Sequence, residues 1–266
     1  MILAAFQFAP APGDAARNAA AVERGLRAAA AKGARLVALP ELWPTSFAYG
    51  DLKAALASTQ RALESARAVS RELGLVVVGS ALADSGRARP LNLGHVIDRG
   101  DVLARYAKAH LFTPTHEDKG FEAGEALPPV VETSAGLVSI AICYDLRFPE
   151  LCRAAFLGGA EIVVVPAQWA AERFEQWRAL VIGRAVENQC VFVGANRTGS
   201  ETTPGGAEAT FPGRSLIADG HGEVLAEGGD GEELVAADVD LARLAALRRL
   251  IPCRKDRRPD VYGNGR

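Results

Sequence analysis

Apolar positions along this chain repeat one rhythm three times: a helical stretch, a glycine stop, then an unbroken apolar run rich in β-branched residues. The first helix is predicted over 14–32, with Asp14 as N-cap and Gly33 as its stop, ahead of a strand at 35–39. The second covers 52–73, ends at Gly74 and yields the strand 75–78. The third starts at Pro149, stops at Gly158-Gly159 and yields 161–165. Runs at 1–8 and 138–142 read as further strands. Unbroken apolar strands of this kind are buried on both faces, as in layered α/β proteins.

Other segments alternate instead: 93–97, 102–106, 130–132 and 216–225, the last around the Asp219-Gly220-His221-Gly222 turn. Alternation predicts antiparallel pairing, so the expectation is an α/β sandwich rather than a doubly wound sheet. A fourth helix is predicted over 173–188 and a short one within 240–250. The polar, glycine-containing stretches 83–90 and 199–209 read as surface loops. No linker divides the chain, and a single domain over 1–266 is expected.

Charge and composition narrow the function. Across 266 residues, 30 basic side chains against 32 acidic ones argue against an electrostatic nucleic-acid binder or a polybasic membrane-surface protein. No stretch approaches the roughly 18 apolar residues of a membrane-spanning helix. The first residues lack a positively charged leader, so a cytoplasmic location is expected. Four cysteines without CxxC spacing make no disulfide framework. There is no HExxH, no spaced Cys/His cluster and no phosphate-cradling glycine loop, so neither metal nor organic cofactor is expected.

Candidate chemistry sits where strands end, because loops gather there over the sheet of an α/β protein. Glu41 follows the strand 35–39, Lys108 follows 102–106, Cys143 follows 138–142, and Gln168-Trp169 follow 161–165. Pro40, Leu42, Trp43 and Pro44 flank Glu41 with apolar, stiff chain that favours desolvation and a raised pKa. Cys143 opens a turn leading to the Pro149 helix, whereas Cys152, Cys190 and Cys253 read as small buried hydrophobes. Together a thiol, a carboxylate and an ammonium allow acyl transfer through a thioester. A Cys/His pair would need His95, His110, His116 or His221 beside Cys143, and an inactive binding scaffold is the alternative from another class.

Three blocks carry a resemblance: Leu39-Pro40-Glu41, Tyr106-Ala107-Lys108-Ala109-His110-Leu111-Phe112, and Ile142-Cys143-Tyr144-Asp145-Leu146-Arg147-Phe148-Pro149-Glu150. In this order and spacing they resemble the signature blocks of the nitrilase superfamily, the carbon–nitrogen hydrolases. Arg184 to Gln189, Asn196-Arg197, Gly213-Arg214-Ser215 and Lys255 to Tyr262 are also similar to that family. The resemblance implies a four-layer αββα sandwich, paired through helices into a homodimer. It implies Cys143 as nucleophile, Glu41 as general base, Lys108 as oxyanion stabiliser, and the Tyr144 backbone N–H as second oxyanion donor. A supporting glutamate is best matched by Glu117, with Glu122 and Glu125 nearby.

The substrate implied is a small-molecule amide, with no nucleic-acid or membrane partner. The stretch after Cys143 looks most like the ω-amidase branch, which acts on 2-oxoglutaramate and 2-oxosuccinamate; deaminated glutathione and N-carbamoyl compounds are the alternatives. Arg173 is the candidate clamp for a substrate carboxylate and Trp169 a pocket wall, as Trp43 is also considered to be. Arg147 and Arg153 are expected to form structural ion pairs. The segment 251–262 is a candidate intersubunit contact.

Overall fold

The chain builds two six-stranded sheets, the first mainly from its N-terminal half and the second from its C-terminal half. The computed structural model describes residues 1–47, 50–202, 206 and 208–263. The first sheet contains β1 (Ile2–Gln7), β2 (Ala34–Ala38), β3 (Val76–Ala83), β4 (Leu91–Asp98) and β5 (Asp101–Ala107). The second contains β6 (Val130–Thr133), β7 (Gly136–Ile140), β8 (Ile162–Ala167), β9 (Val191–Asn196), β12 (Leu216–Ala218) and β13 (Val224–Glu227). Between β9 and β12 in sequence, β10 (Thr198–Thr202) and β11 (Glu208–Pro212) pair alone, and β14 (Glu233–Asp238) returns to the edge of the first sheet. The strand orders are β14-β1-β2-β3-β4-β5 and β13-β12-β9-β8-β7-β6.

Both sheets share one plan. Three parallel strands, β1-β2-β3 or β7-β8-β9, form the centre, and antiparallel strands flank them. Helices α1 (Ala15–Ala31) and α2 (Leu52–Leu73) cover the outer face of the first sheet. After the single-turn α3 (Glu117–Gly120), helices α4 (Pro149–Leu157) and α5 (Phe174–Asn188) cover the second, and α6 (Leu241–Leu250) follows β14. The layers therefore run α-β-β-α, as expected.

Strand periodicity explains the layering. Ala4, Phe6, Val37 and Val77 face Val22, Leu26, Ala66 and Val69 of α1 and α2. Their neighbours Leu3, Ala5, Leu36 and Val76 face the other sheet and share a core with Val138, Ile140, Val164 and Val193. Burial on both faces is what the unbroken apolar runs predict. Each such Val or Leu side chain contributes about 1.5–3 kcal/mol. The sheets approach so closely at Gly94 that a Cβ there would lie 2.5 Å from Ile140 Cδ1.

Most predicted ends hold within a residue or two, but the strand expected over 75–78 runs on to Ala83 as β3. Helix α2 matches fully. Asp51 caps its N-terminus by accepting from Ala54 N at 2.7 Å, and Gly74 ends it in the left-handed region at φ +67°. Another expectation fails: 199–209 is not a plain loop, since residues 199–202 and 208–209 pair in the β10–β11 hairpin. Residues 203–205 and 207 of that stretch lie outside the described residues. Its polar Thr-Gly-Ser-Glu-Thr sequence carries no apolar alternation to betray the strand.

Candidate active site

The carboxyl ends of β2, β5, β7 and β8 bring Glu41, Lys108, Cys143 and Gln168 together. Glu41 lies in the 41–45 turn, which is pinned to β3 by Leu42 N donating to Ser80 Oγ and Trp43 N to Ser80 O. Its side chain is 1% exposed. Lys108 Nζ lies 2.7 Å from Glu41 Oε1, and 2.9 and 2.8 Å from the two oxygens of Glu117. The ammonium thus bridges two buried carboxylates.

Further donors fix those carboxylates. Asn92 Nδ2 on β4 donates to Glu41 Oε1 at 2.8 Å, and the Gln168 N–H donates to Glu41 Oε2 at 3.1 Å. Glu117 opens α3 and accepts from Phe112 N at 2.7 Å. The neighbouring candidates turn away: Glu122 pairs with Arg89 and Glu125 with Arg87.

Cys143 adopts φ +46°, a left-handed conformation that costs a non-glycine residue about 1–3 kcal/mol. Asp145 supports it. Asp145 Oδ2 accepts from Ile142 N and the Tyr106 hydroxyl, and Oδ1 accepts from His110 N and faces His110 Nδ1 at 2.8 Å. The sharp strand-to-helix turn puts the thiol within hydrogen-bonding reach of Glu41 and beside the Gln168 N–H. Tyr144 follows in the first turn of a 3₁₀ helix, where amides have no partner within the helix itself.

Electrostatics follow from burial. Desolvation raises the Glu41 pKa, and Glu117 adds to it, against the opposing pull of Lys108. Burial likewise pushes the Cys143 thiol up, helped by the Glu41 charge, while Lys108 pulls it down. For Lys108 burial alone would favour the neutral amine, but Glu117 and Glu41 more than offset it and keep it cationic. The cluster can therefore pass one proton between thiol and carboxylate next to a fixed positive charge.

These groups line one end of a cavity of about 700 Å³. Phe47, Phe112, Phe121, Tyr144, Trp169 and Phe211 supply aromatic wall, and Lys119, Arg147 and Arg173 supply cationic groups. The Arg173 guanidinium lies 5.3 Å from the Phe112 ring centre, and its carbonyl accepts from Trp169 Nε1 at 2.8 Å. Trp43 is instead a core residue, packed with the outer layer of the first sheet. The ion pairs expected of Arg147 and Arg153 do not form among the described residues. Arg147 donates to Gln176 and lies over Trp169, in the cavity wall, and Arg153 lies over Phe156.

The histidine alternative finds no support. Among the described residues no histidine hydrogen-bonds Cys143: His110 is held by Asp145, His221 by Asp219, and His95 lies beneath α2 with its pKa lowered to about 4 by burial and Arg105. His116 reaches the cavity wall without bonding the thiol. Asn92, Arg147, Gln168, Arg197 and Glu201 escaped the sequence reading as site residues. Gln168 was open to the strand-end argument, and Arg147 to its place four residues after Cys143. Glu201 was hidden in a segment read as loop.

Comparison with known proteins gives this site a context. The carbon-nitrogen hydrolase family pattern matches residues 2–249. The 2-oxoglutaramate amidase of Bacillus subtilis is 35% identical over 87% of this chain and 88% of its own. The N-carbamoylputrescine amidase of Solanum tuberosum is 32% identical over 98% of this chain and 93% of its own. A carbon-nitrogen hydrolase from Helicobacter pylori superposes with a TM-score of 0.91 at 26% identity, covering 99% of this chain and 97% of that one. An amidase mutant from Nesterenkonia sp. AN1, with the acetamide moiety of fluoroacetamide covalently added at its active-site cysteine, superposes at 0.86 with 29% identity, covering 99% and 96%. Fold, order of blocks and chain-length matches agree: this chain belongs to the carbon–nitrogen hydrolase family and is an amidohydrolase.

Proposed function

We propose that the enzyme hydrolyses a small amide in two steps, with Cys143 as nucleophile and Glu41 as proton carrier. The observation that carries the reading is the Lys108 ammonium bridging Glu41 and Glu117 beside the Cys143 thiol. Glu41 takes the thiol proton as sulfur bonds to the carbonyl carbon. Lys108 Nζ and the Tyr144 N–H stabilise the oxyanion, where one such donor is worth about 2.7–4 kcal/mol. Collapse breaks the C–N bond, Glu41 returns the proton to the departing ammonia, and a thioester remains on Cys143. Glu41 then deprotonates a water, whose attack releases the carboxylic acid and the thiol. Glu117 keeps Lys108 charged and oriented.

The substrate proposed is 2-oxoglutaramate or 2-oxosuccinamate. Support comes from the Bacillus subtilis relative and from Arg147, Arg173 and Lys119 in the cavity wall, which suit a carboxylate at the far end of the amide. Trp169 holds Arg173 in place. We further propose a single domain, assembled as a homodimer in the cytoplasm. No helix among the described residues is long and apolar enough to cross a membrane.

Ammonia release from 2-oxoglutaramate, run beside glutamine, a simple nitrile and N-carbamoylputrescine with Cys143→Ala as control, tests the substrate. Release from the oxo-amide alone, abolished in Cys143→Ala, is expected. Release from the carbamoyl compound alone would transfer the site to the other substrate class.

A further inference from the structure

Behind Glu41, on the side away from Lys108, lies a second buried charge pair. Arg197 follows β9 and is 1% exposed, and Glu201 on β10 is its carboxylate partner. Arg197 Nη1 also donates to Ser46 Oγ at 3.0 Å and to Gln168 Oε1 at 2.9 Å. Ser46 Oγ donates to Glu201 at 2.5 Å and lies 3.3 Å from the same Gln168 oxygen. The guanidinium stacks 4.5 Å from the centre of the Phe211 ring on β11. The pair thus joins the hairpin, the end of β8 and the Glu41 turn, yet none of its atoms meets Cys143.

Gln168 touches Glu41 twice. Its backbone N–H holds the Glu41 carboxylate, and its side-chain Nε2 donates to the Glu41 carbonyl at 2.9 Å. A primary amide has a donor end and an acceptor end, whereas a guanidinium only donates. Facing Arg197, Gln168 must present its oxygen, and its NH₂ is then directed to the Glu41 carbonyl. A flipped amide would set two oxygens against each other and push the turn outward.

We propose that Arg197 is a positioning residue for the reaction, fixing through Gln168 the place of the Glu41 carboxylate against the Cys143 thiol. The inference rests on the reading of Glu41 as proton carrier. Misplacement of a reacting group by about 1 Å can cost about 10²-fold in rate, so a relay that holds a turn is kinetically visible. Glu201, itself in the cavity wall, balances the buried guanidinium behind it.

The test uses the rate of Cys143 alkylation by iodoacetamide, followed by peptide mass spectrometry against pH, which needs no knowledge of the substrate. In this step sulfur displaces iodide and its proton passes to Glu41. Arg197→Lys, Gln168→Leu and the double variant form a cycle, with Glu41→Gln as control. Arg197→Lys is expected to slow alkylation about tenfold alone and by less than about twofold in the Gln168→Leu background, because two residues on one path do not add.

The pH midpoint should also fall in both single variants, since a loosened turn admits water to groups whose pKa burial has raised. Equal slowing by Arg197→Lys in both backgrounds, or an unchanged rate and midpoint with only a lower melting temperature, would overturn the proposal. Should Arg197→Lys fail to fold, Gln168→Leu must show the slowing and the midpoint shift by itself; a wild-type profile there also overturns it. If Glu41→Gln alkylates at the wild-type rate, the reading of Glu41 has failed and the relay falls with it. A slow Glu41→Gln beside additive relay variants sinks the relay alone.

Discussion

Lys108 is one cation between two carboxylates, and the consequences of removing any of the three differ. Glu41→Gln keeps the shape and one acceptor oxygen but cannot accept the thiol proton, so kcat should drop by about 10²–10⁴ with the fold retained. Lys108→Met leaves Glu41 and Glu117 buried and unpaired, and breaking a buried pair this way costs about 3–5 kcal/mol. That variant should therefore lose stability as well as activity, which thermal melting and turnover together will show. The pH dependence has opposite signs for the two properties. Because folding raises the Glu41 pKa, the native state binds a proton more tightly than the unfolded chain. The contribution of Glu41 to stability consequently grows as pH falls from the raised value towards the ordinary 4.5, while activity is lost over the same window. Melting of wild type and Glu41→Gln through mildly acid pH should show this gain in wild type only.

Among the elements, the turn carrying Cys143 holds backbone strain at the reacting residue itself. Its φ of +46° suits glycine, so Cys143→Gly should be more stable than Cys143→Ala by about 1–2 kcal/mol, against the usual order of the two residues. Chemical denaturation of the two variants checks this; an alanine variant as stable as the glycine one would mean the turn is unstrained. The same element shows what the sequence could convey. Asp51 and Gly74 bracket α2 with local cap chemistry, so both ends were readable to the residue. Glu41, Lys108 and Cys143 were readable because each follows an apolar strand that ends abruptly. The β10–β11 hairpin was not, since its register rests on backbone pairing, and Arg197 and Glu201 are tied down by Gln168 and Ser46 from distant parts of the chain. Nor was the cavity role of Arg147, whose partner Trp169 lies far along the chain. Long-range contact, rather than local propensity, fixes both.

For the whole molecule, several large apolar side chains remain uncovered, Leu103 and Leu127 among them, and they are densest towards the C-terminus. Val186 on α5 is 46% exposed, and Leu250, Ile251, Val261 and Tyr262 in the C-terminal segment are exposed by half or more. Their exposure supports the proposed homodimer, in which α5 and residues 250–262 would meet a second copy. Light scattering should give twice the 28.0 kDa chain mass, and Val186→Glu with Ile251→Asp should halve it. A monomer in the wild type would remove the assembly from the account while leaving the chemistry intact. That chemistry has a covalent signature. Intact-mass and peptide analysis of enzyme rapidly quenched during turnover of 2-oxoglutaramate is the measurement that meets it most directly. A transient acyl adduct confined to the Cys143 peptide, absent in Cys143→Ala, is the predicted result. Sustained ammonia release with no adduct on Cys143, or release undiminished in Cys143→Ala, would contradict it.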